Sequence, residues 1–301
     1  MKAAVFGGSG FLGSHVADEL TERGYKVRVY DIRRSPHLQK DQKMITGDIL
    51  DADKVRAAVE GCDAVYNFAG ISDIAEASIN PLETIKINIF GNATILDACR
   101  LQKVKRFIFA SSLYIYSAAG SFYRSSKQAS ELIIENYNEK YGLPFTILRY
   151  GSLYGPRAGE SNWIYSILKQ AVADGKITRY GDGEELREYI HVKDAARYSV
   201  DVLSPEFEKQ YVIITGNQQM KVKDLLTMIK EMLNNKVKLE FLPIDSSIHY
   251  EVTPYSFNPR IAKRLVGKHY IDLGQGLLDI LRDVHEKHSP YKKQNDLYFK
   301  E

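Results

Sequence analysis

The stretch Ala3-Ala4-Val5-Phe6-Gly7-Gly8-Ser9-Gly10-Phe11-Leu12-Gly13 decides the fold. Apolar residues of strand length run into a glycine turn, and helical spacing takes over from 11 to 22, ending at Gly24. The glycines at 7, 10 and 13 have separate tasks. One permits the tight turn, one lets the backbone approach a pyrophosphate, and one lets the helix pack close to the sheet. The helix start offers free N–H groups and a positive dipole end to phosphates. A glycine triplet alone is weak, but a strand before it and a helix after it are the context a dinucleotide turn requires.

Outward from this turn the strand–helix rhythm continues. Strands are expected at 26–30, 64–68, 106–111 and 145–149, and helices at 53–59, 81–101 and 125–141. This order predicts an α/β fold: a Rossmann-type, doubly wound parallel sheet with helices on both faces. After about residue 152 the rhythm gives way to short elements and loops, with helices at 222–233 and 277–285. The expectation is a dinucleotide-binding domain over 1–152, with a later contribution from about 185–205. A smaller, intertwined substrate lobe spans 153–290, and a loosely held polar tail covers 291–301.

Composition narrows the class. The chain of 301 residues carries 41 Lys plus Arg against 38 Asp plus Glu, a net charge of +3, too balanced for a dedicated nucleic-acid binder. Its 44% hydrophobic content is that of an ordinary globular protein. The two cysteines, Cys62 and Cys99, are too far apart in sequence for a CxxC pair and read as packing residues. No metal-ligand pattern stands out, and no apolar run approaches the roughly 18 residues of a membrane span. The glycines from position 7 break the N-terminal apolar run too early for a signal peptide, so a cytoplasmic enzyme or binding protein is expected.

At the cofactor end, Asp31 closes the second strand 18 residues past Gly13. A carboxylate there can accept both ribose hydroxyls of an adenosine and would repel a 2′-phosphate, which favours NAD over NADP. Ile32 follows it, and then Arg33 and Arg34, which argue the other way. Asp48, with Ile49 after it, can accept from an adenine amino group or cap a helix, a role for which Asp51 competes.

Tyr123 and Lys127 stand four apart, so on a helix they share a face. A cation beside a phenol stabilises the phenolate, which makes the tyrosine a usable base toward an alcohol. Ser111 and Ser112, at the end of the preceding strand, place a hydroxyl where it can orient the same oxygen.

Together Gly7/Gly10/Gly13, Asp31, Asn67-Phe68-Ala69-Gly70, Ser112, Tyr123/Lys127 and Arg149-Tyr150 resemble the extended short-chain dehydrogenase/reductase family. More narrowly they are similar to its NAD-dependent nucleotide-sugar epimerase/dehydratase branch. Leu153 to Arg157 and Gly181 to Asp194 extend the likeness to roughly residues 1–285. The resemblance implies that Ser112, Tyr123 and Lys127 are catalytic. Ser112 and Tyr123 would hydrogen-bond the sugar, and Lys127 would tune the phenol and grip the nicotinamide ribose. It implies cofactor contacts from the glycine turn with Phe11 and Leu12, from Asp31, Ile32 and Arg33, and from Asp48 and Ile49. Phe68, Ala69, Gly70, Ser111 and Tyr150 would join them, with Asn88 as a support. Ser152 and Arg187 would meet a nucleotide-diphosphate sugar; the competing reading of Arg187 is a surface ion pair with Glu184 or Glu188. His191 reads as a structural hydrogen-bonder. The family also implies a homodimer through helices 81–101 and 125–141, while the balanced charge and the lack of a long apolar run predict no nucleic acid and no membrane as partners.

The chain departs from the family pattern in four places. Ten residues separate Ser112 from Tyr123, which predicts a site more open there or completed by another segment. Leu113-Tyr114 stands where dehydratases carry Asp-Glu, which disfavours dehydration. Gly151-Ser152 replaces the family's Phe-Asn, and 246–255 lacks an arginine many relatives place against the diphosphate. By family frequency, the resemblance implies an NAD-dependent epimerase working at sugar C4 through a 4-keto intermediate. The alternative is a nucleotide-sugar 4-dehydrogenase or 4-ketoreductase. A distant third is a non-catalytic binding or scaffold protein on the same fold.

Overall fold

The computed structural model describes residues 1–217, 219–243, 262–265 and 269–288. Strands β1 (Lys2–Phe6), β2 (Lys26–Asp31), β3 (Gln42–Thr46), β4 (Ala64–Asn67), β5 (Arg106–Ser112) and β6 (Phe145–Tyr150) arise from the first half. The second half adds β7 (Ser152–Tyr154), β8 (Lys176–Tyr180), β9 (Leu186–His191) and β10 (Gln210–Ile214). It also adds β11 (Gln219–Lys221), β12 (Lys238–Leu242) and β13 (Lys263–Arg264). The eight-stranded central sheet runs β13-β10-β6-β5-β4-β1-β2-β3, with every pairing parallel. The order around β1 reverses direction, as in the doubly wound arrangement expected from the glycine turn.

Helices α1 (Phe11–Glu22), α2 (Ala52–Val59), α3 (Ile74–Ile79), α4 (Pro81–Ile85) and α5 (Asn92–Leu101) belong to the first half. They are followed by α6 (Ser121–Tyr141), α7 (Trp163–Asp174), α8 (Val192–Asp201), α9 (Val222–Met232) and α10 (Leu273–His288). Helices cover both faces, so the strands between them are apolar nearly throughout: Ala3, Ala4, Val5 and Phe6 are fully buried. One face packs Val16 and Leu20 of α1 with Ala195 and Val200 of α8. The other packs Val55, Leu96 and Ile134 of α2, α5 and α6. A third core unites Leu168, Leu226 and Ile280 of α7, α9 and α10. Cys62 and Cys99 are buried free thiols.

Two sequence expectations need correction. Helix 81–101 is not uniform: a π-helical turn, Lys86–Gly91, separates α4 from α5. Helices α7 and α8 were not anticipated. In α8 the buried Asp194 and Ser199 sit among the apolar residues of its inner face. The segment 246–255 and the tail 291–301 lie outside the described residues.

Candidate active site

At the carboxyl ends of β1 and β4, where the strand order reverses, a cleft opens. It brings together most of the residues singled out from sequence. Gly7, Gly10, Phe11, Leu12, Gly13, Asp31, Ile32, Asp48, Ile49, Phe68, Ala69 and Gly70 line it. So do Ser111, Ser112, Tyr123, Lys127 and Tyr150. Arg33 and Asn88 do not. Arg33 contributes its backbone N–H to Asp31 Oδ1 at 3.1 Å. Ser152 and Arg187 line an adjoining cavity, which shares Leu153 with the cleft.

The glycine turn is built for close approach. Gly7 sits at φ +72, and a Cβ there would meet the backbone of Phe68 and Ala69 at 2.6 Å. A Cβ on Gly13 would lie 2.2 Å from the Gly7 carbonyl oxygen. Helix α1 starts at Gly10 with no side-chain cap, so its first-turn N–H groups remain available to an anion. Asp31 is held by Ser9 N–H at 3.0 Å and Arg33 N–H at 3.1 Å, one on each oxygen, leaving lone pairs for ribose hydroxyls. Of the two carboxylates that competed for the cap of α2, Asp51 takes it, accepting from Lys54 N–H. Asp48 instead turns to Leu50 N–H at 2.9 Å and stays on the cleft wall. These features fit a dinucleotide.

The loop after β4 is braced from behind. Asn88, on the π-helical turn, accepts from Ile71 N–H at 2.7 Å and donates to the Ile71 carbonyl at 2.9 Å and to Ser126 Oγ at 3.0 Å. Its side-chain bonds thus tie Gly70-Ile71 to the helix that carries Tyr123.

Helix α6 presents Tyr123, Lys127 and Glu131 at four-residue intervals, so they share one face. Lys127 is buried. Its ammonium donates to the Ala110 carbonyl at 2.8 Å and lies 4.9 Å from the Phe109 ring centre and 5.8 Å from that of Tyr123. Burial pushes its pKa down to about 8, while the Glu131 carboxylate works the other way. Ser112 Oγ accepts from Tyr114 N–H at 3.3 Å, which fixes the serine at the mouth of a short 3₁₀ turn, Leu113–Tyr116.

Sequence reasoning missed Glu131. It accepts from Ser111 Oγ at 2.5 Å and from Arg149 at 3.1 and 2.7 Å. Arg149 donates onward to Tyr116 Oη at 2.7 Å. This fully buried network locks β5, α6 and β6 together under the site. Its signal was the continuing four-residue period from Tyr123 and Lys127 to Glu131. His191 caps α8, accepting from Lys193 N–H at 3.3 Å, and burial holds it neutral, down to about 4. Glu184, one proposed partner of Arg187, pairs with Lys221 and Lys223. Among the described residues, no group of three or more His, Cys, Asp or Glu could hold a metal. No helix there is long and apolar enough to cross a membrane.

Comparison with known proteins agrees with this geometry. Residues 3–213 match the model of the NAD dependent epimerase/dehydratase family. The chain is 26% identical over 282 residues to a UDP-N-acetyl-alpha-D-glucosaminuronate decarboxylase of Bacillus cytotoxicus, covering 85% of this chain and 86% of that protein. It is 26% identical over 294 residues to a putative UDP-glucose 4-epimerase of Methanocaldococcus jannaschii, covering 91% and 95%. Among solved structures, the UDP-glucose 4-epimerase of Thermotoga maritima with UDP-glucose superposes with a TM-score of 0.81 at 23% identity, over 95% of this chain and 99% of that one. The chain belongs to the NAD-dependent epimerase/dehydratase family, within the extended short-chain dehydrogenases/reductases. It is an NAD-dependent enzyme of that family.

Proposed function

We propose that the protein is a nucleotide-sugar 4-epimerase. The observation that carries this reading is the convergence of Ser112, Tyr123 and Lys127 in the dinucleotide cleft, beside the cavity lined by Arg187. Bound NAD supplies the acceptor and donor of hydride. Tyr123 takes the proton of the sugar C4 hydroxyl, with Ser112 hydrogen-bonded to the same oxygen. Lys127, held against Ala110, keeps positive charge near the phenol and would hold the nicotinamide ribose. The resulting 4-ketone rotates, and Tyr123 returns the proton to the oxygen of the inverted alcohol. Arg187 holds the diphosphate, for which a guanidinium fork suits two oxygens at once. Asp31 favours NAD over NADP, since its fixed carboxylate would oppose a 2′-phosphate and the Arg33 side chain does not line the cleft.

The test is proton NMR of products from UDP-, GDP- and dTDP-sugars with NAD, which tells C4 epimers of equal mass apart, alongside absorbance at the NADH band. An epimer without net NADH supports the epimerase. Accumulating NADH favours the dehydrogenase, and absence of cofactor binding favours a scaffold.

The enzyme is further proposed to act as a homodimer. Ile79, Leu82, Ile85 and Phe90 lie exposed across α3, α4 and the π-helical turn, and Leu132 is exposed on α6. Such an unpaired apolar face suits a two-fold helix bundle. A monomer by light scattering at micromolar concentration overturns it.

A further inference from the structure

We propose that Tyr114 and Glu76 restrict this site to nucleotide sugars with an uncharged sugar ring, and turn uronates away. The inference rests on the nucleotide-sugar reading above and deepens it. It matters because similar proteins carry names of both kinds, one for glucose and one for a glucosaminuronate.

A sugar whose C4 reaches Tyr123 and whose diphosphate reaches Arg187 must pass the junction between the cleft and the adjoining cavity. Tyr114 stands at that junction. Its ring meets the Tyr123 ring edge-on, with centroids 6.1 Å apart and planes at 78°. It also lines the cavity of Arg187. Its position is built rather than incidental. Its backbone N–H is held by Ser112, and its ring rests on Gly120, where a Cβ would lie 2.8 Å from Tyr114 Cδ1. Gly120 also sits at φ +99, a conformation that excludes most other residues.

The opposite side is closed by α3, which packs on the start of α6, with Ser121 Oγ 3.5 Å from Ser78 Oγ. Helix α3 presents Glu76 to the cleft, and that carboxylate has no ion-pair partner among the described residues. Cations on the walls are already committed. Lys127 is the only Lys or Arg among the described residues lining the cleft, and it donates to Ala110 beside the phenol. In the cavity, Arg179 pairs with Glu185, and Arg187 serves the diphosphate. A C6 carboxylate therefore meets a like charge on the cleft wall at Glu76 and an aromatic ring at the junction, and gains no counter-ion. A hydroxymethyl group there carries neither cost. Tyr114 also offers its ring to the apolar face of a neutral hexose.

The test compares two matched pairs, UDP-glucose with UDP-glucuronate and GDP-mannose with GDP-mannuronate, by kcat/KM and by calorimetric Kd. The expected preference for the neutral partner is on the order of a hundredfold in both measures. The double variant Tyr114→Ala, Glu76→Gln should bring the ratio toward one by gaining the uronate, whereas Tyr114→Phe keeps it. A uronate bound and turned over as well as its neutral partner by the unaltered enzyme overturns the inference alone. So does a ratio unchanged in the double variant while both rates fall, since that marks a merely structural role. Failure to bind or turn over either pair overturns the nucleotide-sugar reading, and this inference with it.

Discussion

The ammonium of Lys127 lies 5.8 Å from the centre of the Tyr123 ring, one helical turn along the same face of α6. The lysine is buried and anchored on the Ala110 carbonyl, so its distance from the phenol is set by β5 as much as by the helix. The site's acid–base chemistry is proposed to depend on this pair.

Replacing Tyr123 by Phe removes one hydroxyl and keeps the ring. Turnover should fall by about 10²–10⁴-fold, the usual worth of a positioned acid–base group, with NAD affinity nearly unchanged. Single-turnover rates and a cofactor titration check both halves.

The pH dependence follows from burial of Lys127. Its pKa, pushed down to about 8, leaves the ammonium charged at neutral pH and discharged as pH rises through 8. Activity that needs the cation should be full below that value and decline above it. Stability runs the opposite way. The folded value lies below the unfolded one, near 10.5, so the cost of burying the charge is full below 8 and relieved between 8 and 10.5. That relief is about 3 kcal/mol. A pH–rate profile and denaturant titrations at pH 7 and 10 separate the two.

Gly13→Ala puts a methyl 2.2 Å from the Gly7 carbonyl oxygen, against backbone that cannot swing aside. The turn must shift, costing about 1–3 kcal/mol of stability and loosening the cofactor cradle. Thermal unfolding with and without NAD should show a lower Tm and a smaller shift on adding cofactor.

Much of the fold was legible because the first half obeys simple periods. The β1–glycine turn–α1 stretch carries strand, turn and helix signals in sequence, and the observed elements follow. The π-helical turn was not legible. Lys86 to Gly91 keeps the apolar spacing of an ordinary helix, and only the need of Asn88 to reach Ile71 marks the extra residue. Glu131 was hidden for a related reason: its partners Ser111 and Arg149 come from two strands, and adjacency across a sheet has no signature along one chain. Tyr114 was noticed for what it replaced, not for where it stands.

Acid should destabilise the protein through two histidines. Burial holds His15 and His191 down to about 4, whereas exposed histidine titrates near 6.5. Because the folded values are depressed, their contribution is whole above 6.5 and is lost as pH falls from there to 4. The loss is about 3 kcal/mol for each. Urea titrations at pH 7 and 4.5 measure it, and His15→Gln should flatten part of the slope.

The π-helical turn makes the length of segment 86–91 a fixed quantity. Excising one residue would let the backbone wind regularly, with the flanking helices kept in place and the side chains inside the turn re-aimed. Asn88 would leave Ile71, and the strap over Gly70 would lose its fastening, although no residue lining the cleft had been changed. Related sequences that preserve this chemistry should therefore tolerate substitutions here far better than insertions or deletions.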